Sequence, residues 1–254
     1  MCRHLAFLGP SKSLDALLLA PEHGLLTQSW APRQQLHGTV NADGFGVGWY
    51  AAGDPVPARY RRAVPMWADP SFADVARVTS SAAVLAAVRS ATPGMAPDES
   101  AAAPYRDGRW LFSHNGRIEG WPHSMGALVE KLPAHRLLGL ESRVDSALLW
   151  GLVSARLAAG ETAGSALASV VTEVSALTTG RFNLLLTDGV TIAATAAGDT
   201  LCWSSGPSGT VVASEPSDDS GDWHEVPDQS LLTATADQVD VSPIYVQWNE
   251  RVLI

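Results

Sequence analysis

The chain has 254 residues, of which 46% are hydrophobic and 17% charged, a balance typical of a globular protein that can bury a substantial core. The formal net charge of −9, with no basic cluster to offset it, argues against nucleic-acid binding. No apolar run could cross a bilayer, and Arg3 and His4 precede too short an apolar stretch for an export signal. We therefore expect no membrane association and a cytoplasmic location.

The first fifty residues predict two strands, one short helix and a long loop. Arg3–Leu8 has the pattern of a strand, and Leu14–Leu19 that of a helix that Ser13 can cap. The segment Pro21–Asp43 is polar and irregular, and loops of this length in compact domains are often functional. Gly44–Tyr50 alternates glycine with bulky apolar residues, which predicts a strand whose glycine face admits a close neighbour or a ligand.

Strand and helix patterns follow one another through the rest of the chain. Strands are predicted at Ala82–Arg89, at Arg109–His114 and from Ser230 onward, and helices at Met125–Leu132, Arg143–Ala158 and Glu161–Ala176. Neither an internal repeat nor a linker divides the sequence. Residues 2–254 are therefore expected to form a single α/β domain with a largely antiparallel sheet.

Two further segments have clear local signals. Phe182–Leu186 and Val190–Ala194 are apolar runs on either side of an Asp188-Gly189 pair, which predicts a β-hairpin. Glu215–Asp222 is acidic and rich in turn formers, which predicts a surface loop.

Cys2 is the first candidate for chemistry. Removal of Met1 is expected because the side chain that follows it is small, and residue 2 then has a free α-amine beside its own thiol. Such an amine titrates near about pH 8, so it can act as general base for a nucleophilic thiol. Burial as a small hydrophobe at a strand start is the alternative. A disulfide with Cys202 is not expected in a cytoplasmic chain.

Two predicted strands end in polar groups suited to a carboxylate and an oxyanion. Arg89 follows the strand Ala82–Arg89, and an arginine there can bind a carboxylate through two hydrogen bonds. Asn115 and Gly116 follow His114 and offer an amide side chain and a backbone N–H to a developing oxyanion. Asn-Gly is equally the commonest hairpin turn, so this pair has two interpretations.

Asp145 lies in the first turn of a predicted helix. An acidic residue is favoured there by the helix dipole, and its carboxylate could also receive a substrate ammonium group. The glycines of Asn41–Tyr50 alternate strictly, and no helix pattern follows, which excludes a dinucleotide-binding loop.

Taken together and in order, five segments resemble the class II glutamine amidotransferases, which are N-terminal nucleophile hydrolases. These segments are Cys2, Asn41–Tyr50, Arg89–Gly94, His114–Gly116 and Asp145-Ser146. The resemblance spans most of residues 2–216. It implies a four-layer αββα sandwich of two mostly antiparallel sheets flanked by helices.

The resemblance also implies the site. Cys2 is then the nucleophile, Asn115 and Gly116 form the oxyanion hole, and Arg89 and Asp145 hold the carboxylate and amine of a glutamyl group. Thr92 matches a family position beside that carboxylate. No metal or redox cofactor is implied, and the partner is a small γ-glutamyl molecule. The sequence leaves the oligomeric state open.

Within the family, three stretches resemble the branch that acts in ergothioneine biosynthesis and removes glutamate from γ-glutamyl-hercynylcysteine sulfoxide. They are Met1–Leu5, Gln28–Arg33 and Asn41–Gly44. That substrate contains a trimethylammonium group, for which Trp30 and Trp49 offer candidate cation–π surfaces.

Some alternatives remain open. Many relatives have histidine two residues before the arginine, where this chain has Ala87, so assistance from such a histidine is not expected. Since the sequence ends soon after the hydrolase-like part, we expect a stand-alone hydrolase. The alternatives are a glutaminase subunit, a γ-glutamyl peptidase acting on glutathione-like compounds and a scaffold without activity. A metal site lacks a compact ligand spacing among its candidate ligands, which are Cys2, His4, His37, His114 and His123.

Overall fold

The computed structural model describes residues 2–91 and 98–244. Its α-helices are α1 (Leu14–Leu18), α2 (Leu25–Gln28), α3 (Pro70–Val78), α4 (Gly126–Val129), α5 (Ala134–Leu138), α6 (Asp145–Ala158) and α7 (Ala163–Ser175). The strands are β1 (Arg3–Ser13), β2 (Phe45–Trp49), β3 (Ala58–Arg62), β4 (Ser80–Val88), β5 (Tyr105–Asp107), β6 (Trp110–Ile118), β7 (Gly180–Thr187), β8 (Ile192–Ala196), β9 (Cys202–Gly206), β10 (Gly209–Ala213), β11 (His224–Glu225), β12 (Ser230–Ala234) and β13 (Val239–Pro243). Within these described ranges, no helix is long and apolar enough to span a membrane.

The strands form two antiparallel sheets. A seven-stranded sheet has the order β11-β9-β10-β1-β4-β2-β3, and a six-stranded sheet has the order β13-β12-β8-β7-β6-β5. β1 lies inside the first sheet between β10 and β4, and β6 lies inside the second between β7 and β5. The two strands that bring Cys2 and Asn115 to the site are therefore held on both sides.

Three apolar layers hold the two sheets and their helices together. Leu5 and Phe7 of β1 pack with residues of α1, α2 and α3 on the outer face of the seven-stranded sheet. Ala6 and Leu8 face the other way and pack against the second sheet. Helices α6 and α7 cover the outer face of that sheet. The result is the four-layer αββα sandwich that the sequence resemblance predicted, with strand alternation deciding which layer each residue joins.

Several local predictions are confirmed. Ser13 caps α1 by accepting a hydrogen bond from the Ala16 amide, and β7 and β8 form the predicted hairpin. The glycine face of β2 admits close neighbours: a Cβ at Gly46 would lie 2.2 Å from the Ala103 carbonyl oxygen. Packing of the segment before β5 against β2 therefore needs glycine at this point.

Other predictions were wrong in their bounds. Asn115 and Gly116 lie inside β6, which continues to Ile118, so neither the strand end nor the hairpin turn is found there. The segment Pro21–Asp43 contains the short helix α2, and the predicted helix Met125–Leu132 is only the four residues of α4. Strand partners supplied by the fold extend β6 beyond its local pattern.

Candidate active site

The register of the seven-stranded sheet gathers one end of three strands, β1, β4 and β2. Arg3 pairs with Val88 of β4, and Val88 pairs in turn with Phe45 of β2. Cys2 precedes Arg3, Gly44 precedes Phe45 and Arg89 follows Val88. These three residues therefore lie together at the same edge of the sheet. Residues far apart in sequence thus meet at one end of the sandwich.

Cys2 is held at this edge by the opposite sheet. Its backbone nitrogen donates to Asn115 Oδ1 at 3.0 Å, a contact between residues 113 positions apart. Its Sγ lies 4.0 Å from the Ser90 carbonyl oxygen, and the residue is half-buried. Both Cys2 and Cys202 are free thiols. Cys2 lines a cleft between β4 and β6.

Asn115 has an unused donor beside this thiol. Its side chain is fully buried, and across residues 2–91 and 98–244 no acceptor bonds to Nδ2. A buried N–H without a partner is unfavourable in a resting protein, and Asn115 lies between two residues that line the cleft, His114 and Gly116. Next to it, a Cβ at Gly116 would lie 1.9 Å from the Arg181 carbonyl oxygen. Only glycine fits at that position.

Arg89 and Asp145 line the same pocket as Cys2 and Gly116. The guanidinium of Arg89 is largely buried, and its Nη1 donates to the Asp43 carbonyl oxygen at 3.3 Å. Asp145 begins α6, where its Oδ2 accepts from the Ile118 amide at 3.1 Å and its Oδ1 from the Ser146 amide at 2.8 Å. An arginine and an aspartate therefore line one pocket.

His114 and Tyr105 also line the pocket, and no pattern in the sequence pointed to Tyr105. Burial lowers the pKa of His114, so its neutral ring donates from Nε2 to the Arg181 carbonyl oxygen and accepts at Nδ1 from the Ser146 hydroxyl. Burial raises the pKa of Tyr105, whose hydroxyl donates to the Ala101 carbonyl oxygen. Tyr105 follows an irregular segment without any local signal. Tertiary packing alone reveals it.

The prediction for the segment Glu215–Asp222 was wrong at its first residue. The segment Glu215–Asp222 was predicted to be a surface loop, yet Glu215 is fully buried. It lies 3.9 Å from the Arg3 guanidinium and accepts hydrogen bonds from two backbone amides of the Pro21–Asp43 loop. The prediction holds for Asp219 to Asp222, which are exposed. A buried cationic partner explains why the acid at position 215 leaves the surface.

The remaining predictions from the sequence concern Thr92, two tryptophans and a metal site. Thr92 lies outside the described residues. Trp30 is 44% exposed and packs edge-on against Trp67, with 5.8 Å between ring centroids, whereas Trp49 packs against the apolar core. In the part of the chain that the structure describes, no three His, Cys, Asp or Glu side chains are grouped to hold a metal ion.

The fold and this cleft identify the class of protein. The chain belongs to the class II glutamine amidotransferases, whose family model matches residues 23–205. It is 43% identical to the gamma-glutamyl-hercynylcysteine sulfoxide hydrolase of Mycolicibacterium smegmatis, over 96% of this chain and 100% of the relative. It is 40% identical to the protein of the same name from Mycobacterium tuberculosis, over 96% of this chain and 97% of the relative.

Solved structures share the fold at lower identity. A glutamine aminotransferase class-II domain protein from Silicibacter pomeroyi has a TM-score of 0.69 at 22% identity, covering 96% of this chain and all of its own. The glutamine phosphoribosylpyrophosphate amidotransferase of B. subtilis has a TM-score of 0.66 at 13% identity, covering 98% of this chain and half of its own. At these identities the likeness concerns the fold.

Proposed function

We propose that this protein hydrolyses the γ-glutamyl amide bond of γ-glutamyl-hercynylcysteine sulfoxide, releasing glutamate and hercynylcysteine sulfoxide. The observation that supports it best is the 3.0 Å hydrogen bond between the Cys2 nitrogen and Asn115 Oδ1. This contact sets the future N-terminal amine, the thiol and an unused amide donor side by side. The two relatives that are 43% and 40% identical over nearly the whole chain bear that substrate in their names.

The pocket suits a glutamyl head group. Arg89 is proposed to bind the α-carboxylate through its planar guanidinium, and Asp145 the α-ammonium group. Thr92 is proposed to help bind this carboxylate. With the two charged ends of the head group fixed, the γ-carbonyl is directed towards Cys2 Sγ, and the leaving half extends out of the pocket.

Proton transfers in the proposed reaction use the two functional groups of residue 2. The amine, freed by loss of Met1, takes the thiol proton, and the thiolate attacks the γ-carbonyl carbon. Asn115 Nδ2 and the Gly116 N–H stabilise the oxyanion of the tetrahedral intermediate. The ammonium returns its proton to the leaving nitrogen as the C–N bond breaks, which leaves a glutamyl thioester on Cys2.

Hydrolysis of the thioester reverses these roles. The amine removes a proton from water, the hydroxide adds to the thioester carbon, and collapse expels the thiolate, which is reprotonated as glutamate departs. No step requires a metal or redox group. We further propose that residues 2–254 act as a single domain in the cytoplasm, where free thiols such as Cys2 and Cys202 persist.

The test is release of glutamate, measured by mass spectrometry, from the sulfoxide substrate, from glutamine and from glutathione. We expect the sulfoxide substrate to have the highest kcat/KM. Highest activity on glutamine or glutathione would instead identify a glutaminase or a γ-glutamyl peptidase, and no release from any of them a protein without this activity.

Cys2→Ala should abolish turnover, whereas Cys202→Ala, at a buried thiol on β9, is the matched control and should keep it. Intact-mass analysis of each preparation establishes whether Met1 has been removed. Normal glutamate release by a Cys2→Ala protein that lacks Met1 would show that this mechanism is wrong.

A further inference from the structure

Arg3 is a fully buried guanidinium on the strand that holds the nucleophile. Side chains alternate along a strand, so Arg3 points away from Cys2 and shares a face with Leu5 and Phe7. Those two residues belong to the apolar layer under α1 and α3. An arginine therefore occupies the first position of a stripe that is otherwise apolar.

The guanidinium links three separate segments. Nε donates to Gln35 Oε1 at 3.2 Å, Nη1 donates to Thr200 Oγ1 at 3.2 Å, and Glu215 Oε2 lies 3.9 Å from Nη1. Gln35 lies in the Pro21–Asp43 loop, and Thr200 lies in the turn between β8 and β9. Arg3 is thus the common contact of β1, this loop and this turn.

Each partner of Arg3 is itself held by further hydrogen bonds. Glu215 accepts hydrogen bonds from the amides of Arg33 and Gln34, both at 2.9 Å. Gln35 Oε1 also accepts from Asn41 Nδ2 at 3.0 Å, and Thr200 donates to the Ser214 carbonyl oxygen at 2.8 Å. Residues 33–41 are therefore attached at both ends to the Arg3 cluster.

The far end of the same loop reaches the pocket. The Asp43 amide donates to the Arg89 carbonyl oxygen at 2.9 Å, and Asp43 Oδ2 accepts from the Ala91 amide at 2.7 Å. The position of the loop and the position of the pocket wall around Arg89 are consequently coupled to the Arg3 side chain.

Stability alone does not account for an ion pair at this place. A buried arginine and glutamate lose their hydration, and well-packed apolar residues of similar size are often at least as stabilising. A chain terminus, by contrast, frays unless something holds it, and a nucleophile displaced by about 1 Å can lose roughly a hundredfold in rate.

We infer that Arg3 is a positioning residue, which anchors the freed terminus so that Cys2 stays at Asn115 and which fixes the 33–41 loop beside the pocket. This role deepens the proposed function and rests on it. The guanidinium does not line the pocket. It acts through the backbone of residue 2 and through Gln35.

The test compares Arg3→Met with Arg3→Lys and with Arg156→Met. Arg156 also pairs with two acids, Glu161 and Glu173, but at the far end of α6, so its loss is a control for breaking a multiple ion pair away from the site. Arg3→Met should lower kcat about 10- to 100-fold with little change in KM. Arg3→Lys, which keeps the positive charge but lacks the several N–H donors of the guanidinium, should recover part of this loss. Arg156→Met should keep the kcat of the wild type.

Hydrogen exchange provides a readout that does not depend on the substrate. Amides of residues 33–41 and 198–201 should exchange faster in Arg3→Met than in the wild type, and should be unchanged in Arg156→Met. Where Arg3→Met does not fold, Gln35→Leu, which removes the loop contact alone, should show the same faster exchange at 33–41.

Wild-type kcat in Arg3→Met, or wild-type exchange at 33–41 in both Arg3→Met and Gln35→Leu, would overturn the inference. If the wild type cleaves no γ-glutamyl substrate, the proposed function fails, and the exchange experiment still decides whether Arg3 anchors the loop. Intact mass must show that Met1 is processed alike in every variant.

Discussion

His4 on β1 lies against Ser113 on β6, with 3.2 Å between Nδ1 of the ring and the serine Oγ, at the interface of the two sheets. Both side chains are fully buried, and no partner for Nε2 occurs among the described residues. Burial, together with the positive charge of Arg3 and the nearby His114, lowers the pKa of His4 to about 3. The ring is therefore neutral in the folded protein.

This neutral histidine predicts a loss of stability in acid. An unfolded chain protonates the ring near its ordinary pKa of about 6.5, whereas the folded chain resists protonation until about 3. His4 thus contributes stability above pH 6.5, and this contribution falls by up to about 1.4 kcal/mol per pH unit as the pH drops towards 3. His114, whose pKa is also lowered, acts in the same direction.

Urea unfolding at a series of pH values measures this effect. His4→Gln should show a shallower dependence of the free energy of unfolding on pH between 6 and 4 than the wild type. His135→Gln, at an exposed position on α5, removes no buried ring and should keep the slope of the wild type. Identical slopes in His4→Gln and the wild type would contradict the prediction.

Asn115 accepts a hydrogen bond from the Cys2 nitrogen and is proposed to donate from Nδ2 to the substrate oxyanion, and two variants separate these roles. Asn115→Ala removes both and should lower kcat about 100- to 1000-fold with little effect on KM. Asn115→Asp keeps an acceptor for the amine but loses the donor. We expect it to be impaired as well in steady-state assays of glutamate release. Full activity of Asn115→Asp would exclude Nδ2 from oxyanion stabilisation.

Gly116 leaves no space for a side chain. In Gly116→Ala the new Cβ would lie 1.9 Å from the Arg181 carbonyl oxygen and 2.5 Å from His114 Nε2, so β6 and β7 must move apart. We expect a loss of about 3 kcal/mol or more in the free energy of unfolding, and loss of activity.

Gly126→Ala is the matched control, because its Cβ would enter open space at the start of α4. Thermal denaturation should place this variant within about 1 kcal/mol of the wild type. Equal free energies of unfolding for the two alanine variants would show that β6 shifts at Gly116 at a smaller cost in free energy than its contacts indicate.

Arg89→Lys tests the carboxylate site. Lysine keeps the charge but cannot form the two parallel hydrogen bonds of a guanidinium, so KM should rise roughly tenfold or more, with a smaller change in kcat. Inhibition by the product glutamate should weaken in parallel. Arg117→Lys, at a half-exposed residue paired with Glu119, is the control and should behave as the wild type. An unchanged KM in Arg89→Lys would remove Arg89 from carboxylate binding.

The local sequence determined much of the fold, as three elements show. Ser13 before an apolar run predicted the start of α1, the Asp188-Gly189 pair predicted the β7–β8 hairpin, and alternating glycines predicted β2. Each signal comes from steric or hydrogen-bonding preferences that act within a few residues, so it can be read without knowledge of the rest of the chain.

Contacts across long separations were decided by the tertiary structure. Asn115 is part of a continuous strand because β7 pairs with β6 as far as Ile118, and Glu215 is buried because Arg3 lies opposite it. The sequence by itself named Cys2, Arg89 and Asp145 as candidates, since their types suit the chemistry. The place of Tyr105 beside them and the contact of Arg3 with the loop both come from packing between distant segments. No local preference encodes such packing.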